Sequence, residues 1–151
     1  MENDALLNSL QTSFPDAACA IGSDWPEIDI DGSDLLTLIQ KLRYDEQWTF
    51  DYLFCETCVD WKTHFTMVYH LSSTKHRHSV VLKAKLDHDK PQIESLVGFY
   101  KTADMLEREV YDLMGIEFLN HPDLRRLLLT EDWVGYPLRK DYEDPINMIR
   151  L

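Results

Sequence analysis

A chain of 151 residues, 44% apolar and 11% aromatic with a net charge of −12, suits one domain with a real core and is not disordered. The acidic balance argues against a general nucleic-acid binder, and no apolar run approaches the length of a transmembrane helix. The acidic start MENDALLNSL lacks the basic region of a secretory signal, and three cysteines give no disulfide framework, so an intracellular chain is expected.

The charge is unevenly placed. Residues 1–60 carry thirteen acids and two bases, residues 61–100 three acids and six bases, and residues 101–151 eleven acids and seven bases. The N-terminal part is therefore either an acidic solvated face or a surface fitted to a basic partner.

In chain order, ENDALLNSLQTSF reads as a helix ended by Pro15. DAACAIG is a short strand candidate. SDWPEIDID is extended, because Pro26 pushes Trp25 from helical angles, and the preceding strand is its expected partner. GSDLLTLIQKLRYD is a second helix, with Ser33 or Asp31 as its cap and Leu35, Leu38, Ile39 and Leu42 facing the core. TFDYLFCETCVDW turns β-like. HFTMVYHLSS alternates, with Phe65, Met67, Tyr69 and Leu71 on one side. HSVVLKAKL does the same, with Val80, Leu82, Ala84 and Leu86 inward and Lys83 and Lys85 outward. SSTKHR between them suits a hairpin connection. ADMLEREVYDLMG is a third helix with its apolar stripe on Ala103, Leu106, Val110, Leu113 and Met114, and Gly115 suits the residue that leaves it. Arg108, Asp112, Met105 and Glu109 fall opposite that stripe, with Arg108 and Asp112 spaced to pair. The remainder, with Pro122, Pro137 and Pro145, reads as turns and extended segments.

The fold class expected is α+β: a two-layer domain, its antiparallel or mixed sheet of three to five strands packed by helices on one face and followed by an extended C-terminal segment. Residues 1–120 form the core domain and 121–151 the extended segment, within one structural unit.

Candidate chemistry is thin. Cys55 and Cys58 are spaced as CETC, but inside a strand residues three apart point to opposite faces, and no second pair exists. His76 and His78 share a strand face without a third ligand. No phosphate loop and no nucleophile–base constellation occurs. Glu107, Glu109, Asp112 and Asp123 with His121 offer acid–base groups if burial raises one pKa, although neighbouring arginines push the other way. An interface explains the region better: His121 to Tyr142 holds Arg125, Arg126, Trp133, Tyr136, Arg139 and Tyr142, the residue types that anchor protein contacts. No catalytic, cofactor-binding or metal residue is expected on this chain.

The order of these residues resembles a known signature. Glu107, Arg108, Glu109 and Asp112 are followed by Gly115, Ile116 and Phe118, then His121 through Arg126, then Asp132, Trp133 and Gly135, and finally Pro137 through Asp141. That succession is similar to the respiratory complex I thirty-kilodalton subunit family, also called the NADH-quinone oxidoreductase C subunit. Upstream, LLTLIQKLRYDEQWTFDYLFCETCVDW is similar to the family's helix followed by a strand ending in Val-Asp and an aromatic.

The resemblance implies an accessory, cofactor-free subunit of the peripheral arm of a proton-translocating NADH:quinone oxidoreductase. Flavin mononucleotide (FMN), iron–sulfur clusters and quinone would lie in partner subunits. The partners implied are the forty-nine-kilodalton-type subunit and neighbouring iron–sulfur subunits, with no nucleic acid. Membrane contact would come only through the complex, on the cytoplasmic side of the cell inner membrane. The interface residues implied are Glu107, Arg108, Glu109, Asp112, His121, Asp123, Arg125, Arg126, Trp133, Tyr136, Arg139, Lys140, Asp141 and Tyr142. An equivalent subunit of a membrane-bound hydrogenase or a ferredoxin-linked complex is the alternative within the family. A small metal-dependent enzyme is the alternative outside it.

Overall fold

The computed structural model describes residues 2–148. Helix α1 (Asn3–Ser13) leads into β1 (Ala18–Ile21) and β2 (Pro26–Asp31), which pair antiparallel as expected. Helix α2 (Leu35–Tyr44) follows one 3-10 turn. The cap there is Asp31, whose carboxylate accepts from the Ser33 N–H at 3.0 Å and the Ser33 hydroxyl at 2.9 Å. Those bonds hold the Asp31 pKa below the usual carboxylate range. Replacing Asp31 with Ala is expected to cost about 1 kcal/mol at neutral pH. Because the pKa is depressed, the difference fades as pH falls through the carboxylate range, which a denaturation series against pH will read.

Strands β3 (Tyr52–Asp60), β4 (His64–Ser72) and β5 (Ser79–Asp87) form an antiparallel meander, and β5 then pairs parallel with β2. The resulting mixed sheet has the order β1-β2-β5-β4-β3. Its inner face carries Phe65, Met67, Tyr69, Leu71, Val80, Leu82 and Ala84, each fully buried. They pack in one cluster with Leu6 and Leu10 of α1, with Leu35, Leu38, Ile39 and Leu42 of α2, and with residues of α3 (Ala103–Met114). The two-layer α+β architecture expected from alternation and helical spacing is what forms.

Two features were not expected. A small parallel pair joins β6 (Gln92–Glu94) to β7 (Glu117–Leu119), too short for periodicity to reveal. His76 and His78 sit in the β4–β5 connection rather than on a strand. Their Nε2 atoms each lie 2.9 Å from a carbonyl, Glu46 and Trp48 respectively, stitching that connection to the loop after α2. Residues 149–151 of the expected C-terminal segment lie outside the described residues.

Candidate functional site: the α3 face and the segment folded over it

Helix α3 ends where Gly115 takes the left-handed conformation (φ +70°), its N–H bonded to the Tyr111 carbonyl at 2.9 Å. The chain passes through β7, turns at Asn120 (φ +62°) and runs back across α3. The face of α3 expected to lie opposite the core is thus covered by the chain's own segment. Arg108 is 6% exposed and Asp112 fully buried, while Met105 and Glu109 remain outside.

Asp112 organises this return. Its Oδ2 accepts the consecutive N–H groups of Leu127, Leu128 and Leu129 at 3.1, 2.6 and 2.9 Å. Its Oδ1 accepts from Arg126 at 2.9 Å. Burial alone raises a carboxylate pKa, but these four bonds outweigh it and hold Asp112 ionised, below its ordinary range.

The expected Arg108–Asp112 pair does not form. Asp112 takes Arg126 instead, and Arg108 donates to the carbonyls of Arg125 at 3.3 Å and Arg126 at 3.2 Å. The spacing permitted the pair, but the returning backbone offers both side chains fixed partners that another flexible side chain cannot match.

Two further arginines bind inward. Arg126 also reaches the carbonyls of Asp112, Trp133 and Gly135 at 2.8, 3.1 and 3.0 Å. Arg139 caps the open end of α3, donating to the carbonyls of Met114 at 2.6 Å and Gly115 at 3.2 Å. Its guanidinium lies 5.1 Å from the Phe65 ring centre and 5.0 Å from that of Tyr136. Asp60, at the end of β3, accepts the Lys140 N–H at 2.9 Å and so ties the segment to the sheet. Composition singled out the arginines; it missed Asp60, whose only signal was the Val-Asp that ends its strand.

On the other flank, Glu107 is fully buried. It accepts from the Ser95 hydroxyl and the Leu96 N–H, both at 2.6 Å. Burial lifts its pKa to about 7 in spite of these donors. Glu107 and Asp112 are thereby split, the first raised and the second lowered. His121 has a fully buried side chain whose Nδ1 accepts the Asp123 N–H at 3.0 Å. Its Nε2 therefore donates, to the Asp104 carbonyl at 3.2 Å. Asp123 pairs in solvent with Arg125 at 2.9 Å. Trp133, Lys140 and Asp141 are exposed, and Tyr142 and Tyr136 half-buried.

Apart from the half-buried Tyr136 and Tyr142, the expected site residues therefore fall into two sets. Glu107, Arg108, Asp112, His121, Arg126 and Arg139 turn inward; all but Glu107, whose donors are Ser95 and Leu96, bond the segment to α3 or its end. Glu109, Asp123, Arg125, Trp133, Lys140 and Asp141 face outward, beside the exposed apolar side chains of Leu128, Val134 and Leu138.

Little here supports chemistry on a small substrate. Among the described residues no group of three or more His, Cys, Asp or Glu is placed to hold a metal. Cys55 lies opposite His70 on the outer sheet face and Cys58 opposite Met67 on the inner one, as strand geometry requires. Burial pushes the Cys58 thiol up to about 12, far from a reactive thiolate. An open groove of about 740 Å³ lies between α1, α2 and the outer edge of the sheet, lined by Asp16, Asp29, Asp31 and Asp34 with Lys41, Lys83 and Lys85. None of the residues that line it belongs to α3. No described helix is long and apolar enough to cross a membrane.

The family model described as "Respiratory-chain NADH dehydrogenase, 30 Kd subunit" matches residues 28–145. The chain is 38% identical over 141 residues to the NADH-quinone oxidoreductase C subunit of Moorella thermoacetica, covering 92% of this chain and 94% of that protein. It is 41% identical over 126 residues to the NADH-quinone oxidoreductase C/D subunit of Phocaeicola vulgatus, covering 82% of this chain and 24% of that longer protein. It is also 38% identical over 149 residues to the F(420)H(2) dehydrogenase C subunit of Methanosarcina mazei, covering 95% and 93%. Two solved structures share the fold at 20% identity. One is a chain of the membrane-bound sulfane sulfur reductase, an archaeal respiratory membrane complex (TM-score 0.80, 93% of this chain and 85% of that one). The other is a trypsin-resistant fragment of Nqo5 (TM-score 0.67, 82% and 100%).

Proposed function

Because the chain belongs to the respiratory-chain NADH dehydrogenase 30 Kd subunit family and is homologous to the NADH-quinone oxidoreductase C subunit, we propose that it is a scaffold of a respiratory complex's peripheral arm. Its contact with the neighbouring subunit is the outer surface of the segment 121–142. The neighbour is the forty-nine-kilodalton-type subunit, with iron–sulfur subunits adjoining. The relative from Phocaeicola vulgatus is named as C and D in one protein, which supports that adjacency. The chain would sit peripherally on the cytoplasmic side of the membrane, held there by the complex. FMN, clusters and quinone would belong to other subunits, and this chain would add rigidity and position.

One observation carries the proposal. The segment satisfies its arginines internally yet leaves Leu128 65%, Val134 87% and Leu138 59% exposed, with Trp133 at 38%. Large apolar side chains on a rigid support, rimmed by charges, are how a partner surface is built. Rigidity matters because the ordering cost is met on folding rather than on binding.

The test is a double substitution, Val134→Asp with Leu138→Asp, in the full chain. Neither side chain supports the core, so stability is expected to stay within about 0.5 kcal/mol of the unsubstituted chain. Recovery of the assembled complex by affinity isolation is expected to fall at least tenfold. Undiminished recovery of the forty-nine-kilodalton-type subunit would overturn the proposed surface. Mass spectrometry of the co-isolated subunits will also identify the electron donor module. The relatives divide on that module: one from an NADH enzyme and one from an F(420)H(2) dehydrogenase are equally similar to this chain, at 38%.

A further inference from the structure

The layer between α3 and the sheet holds two carboxyl groups in unlike surroundings. Glu56 on β3 is 6% exposed, and neither of its oxygens has a hydrogen-bond partner. Its cross-strand neighbour is Tyr69 on β4, fully buried, with its hydroxyl also unpartnered. From α3 comes Glu107, whose charge bears on both. Glu107 has its two donors, one on each oxygen.

The groups around this pair are few. Tyr69 faces it from β4, and Cys58 lies further along β3. Asp104 stands on α3 beside Glu107, and His121 Nε2 approaches Glu107 to 3.8 Å from the chain beyond β7. Arg139 acts on Cys58, with its donors on the end of α3. Among the described residues, the charge that bears on Glu56 is that of Glu107, and it has the same sign.

A carboxylate without donor or cation in an apolar layer takes up a proton rather than remain charged. Two carboxyl groups so placed divide the roles: the one with donors carries the charge and the one without keeps the proton. We propose that Glu56 and Glu107 form a buried proton-binding pair, Glu56 being a neutral carboxylic acid at neutral pH, and that this proton is a condition for α3 and its covering segment to seat on the sheet.

The sign follows from linkage. Both groups have raised pKa values in the folded chain. Their contribution is complete below the carboxyl range of an unfolded chain and is lost as pH rises through the folded values. The lock made by Asp112 runs the opposite way, weakening only in acid. The covering segment is thus held best between the two limits.

Infrared spectra of the full chain against pH provide the test. At pH 7 a protonated-carboxyl band is expected in the wild type; Glu56→Gln should lose the Glu56 component and leave at most the partial band of Glu107, whose pKa lies at about 7, while Glu107→Gln should retain the Glu56 component. Amide exchange of α3 through opening is expected to rise by about tenfold per pH unit for each proton lost, beyond its intrinsic rate. Glu56→Gln should remove one proton from that slope. Absence of the band in the wild type, its undiminished survival in Glu56→Gln, or an unchanged exchange slope would each overturn the proposal. If Glu56→Gln does not fold, Glu107→Gln alone decides: a protonated-carboxyl band retained at pH 7 supports the assignment to Glu56, and a lost band refutes it.

Discussion

Asp112→Ala is expected to free the segment 121–142 from α3 and to cost about 3–5 kcal/mol, the range for breaking a buried ion pair by removing one partner. The carboxylate accepts three consecutive backbone N–H groups and one guanidinium arm. Alanine leaves all four donors without their acceptor and strands Arg126, whose side chain is 11% exposed. Arg126 retains three carbonyls, but two of these belong to the segment that has come loose. Denaturation midpoint and limited proteolysis should agree: lower stability, and cleavage first within residues 121–142 while the sheet stays protected. Asp112→Asn keeps an acceptor oxygen but loses the charge, so it should fall between. Because the Asp112 pKa is depressed, its contribution is present above the ordinary carboxylate range and lost as pH falls through the folded value. Wild type and Asp112→Ala should therefore converge in acid. A loss below about 1 kcal/mol at neutral pH, well under the range for a broken buried pair, or cleavage spread evenly along the chain, would show that the segment does not hang on this residue.

The fold was largely legible in the sequence because its signals are local. Period-two alternation marked β4 and β5, helical spacing marked α2, and Gly115 marked the end of α3. Arg108 and Asp112 were read as part of a charged face because a helical wheel treats whatever lies off the apolar stripe as solvent-facing. What covers that face is the chain's own backbone, some fifteen residues later for Asp112. Composition cannot indicate that three amides will converge on one carboxylate. Arg126 and Arg139, singled out as residues to grip a partner, anchor the chain to itself. Arg126 and Arg139 spend their donors on local carbonyls. Glu56 was unremarkable in the sequence, since a Glu in a strand ordinarily points outward. The register shift between Leu53 and Cys55 changes which residues face the core and sets Glu56 across from Tyr69 on the buried side. A one-residue slip of that kind inverts every later side chain on a strand, and periodicity cannot foresee it.

Gly115 gives the second large effect, and it separates two causes that a single substitution would merge. Its φ of +70° is strained for a residue with a side chain, by about 1–2 kcal/mol. A Cβ placed there would also meet the Tyr136 ring at 2.5 and 2.6 Å and an Arg139 nitrogen at 2.8 Å. Those groups hold the returning segment against the end of α3, so displacing them adds an overpacking cost of about 1–3 kcal/mol. Gly115→Ala is expected to incur both. Asparagine tolerates the left-handed conformation better than alanine but carries the same Cβ, so Gly115→Asn should recover the backbone part alone. Adding Tyr136→Ala to Gly115→Ala should recover the steric part if the ring is the obstacle, a coupling that a double-mutant cycle reads directly. If Gly115→Asn matches the wild type, the ring moves aside freely and the contact is loose. If instead Asn is as harmful as Ala, space and not conformation is what demands glycine. In that case the end of α3 is held from outside, by the segment that Arg139 and Tyr136 bring across it, and the helix stop and the segment's anchor are a single packing unit.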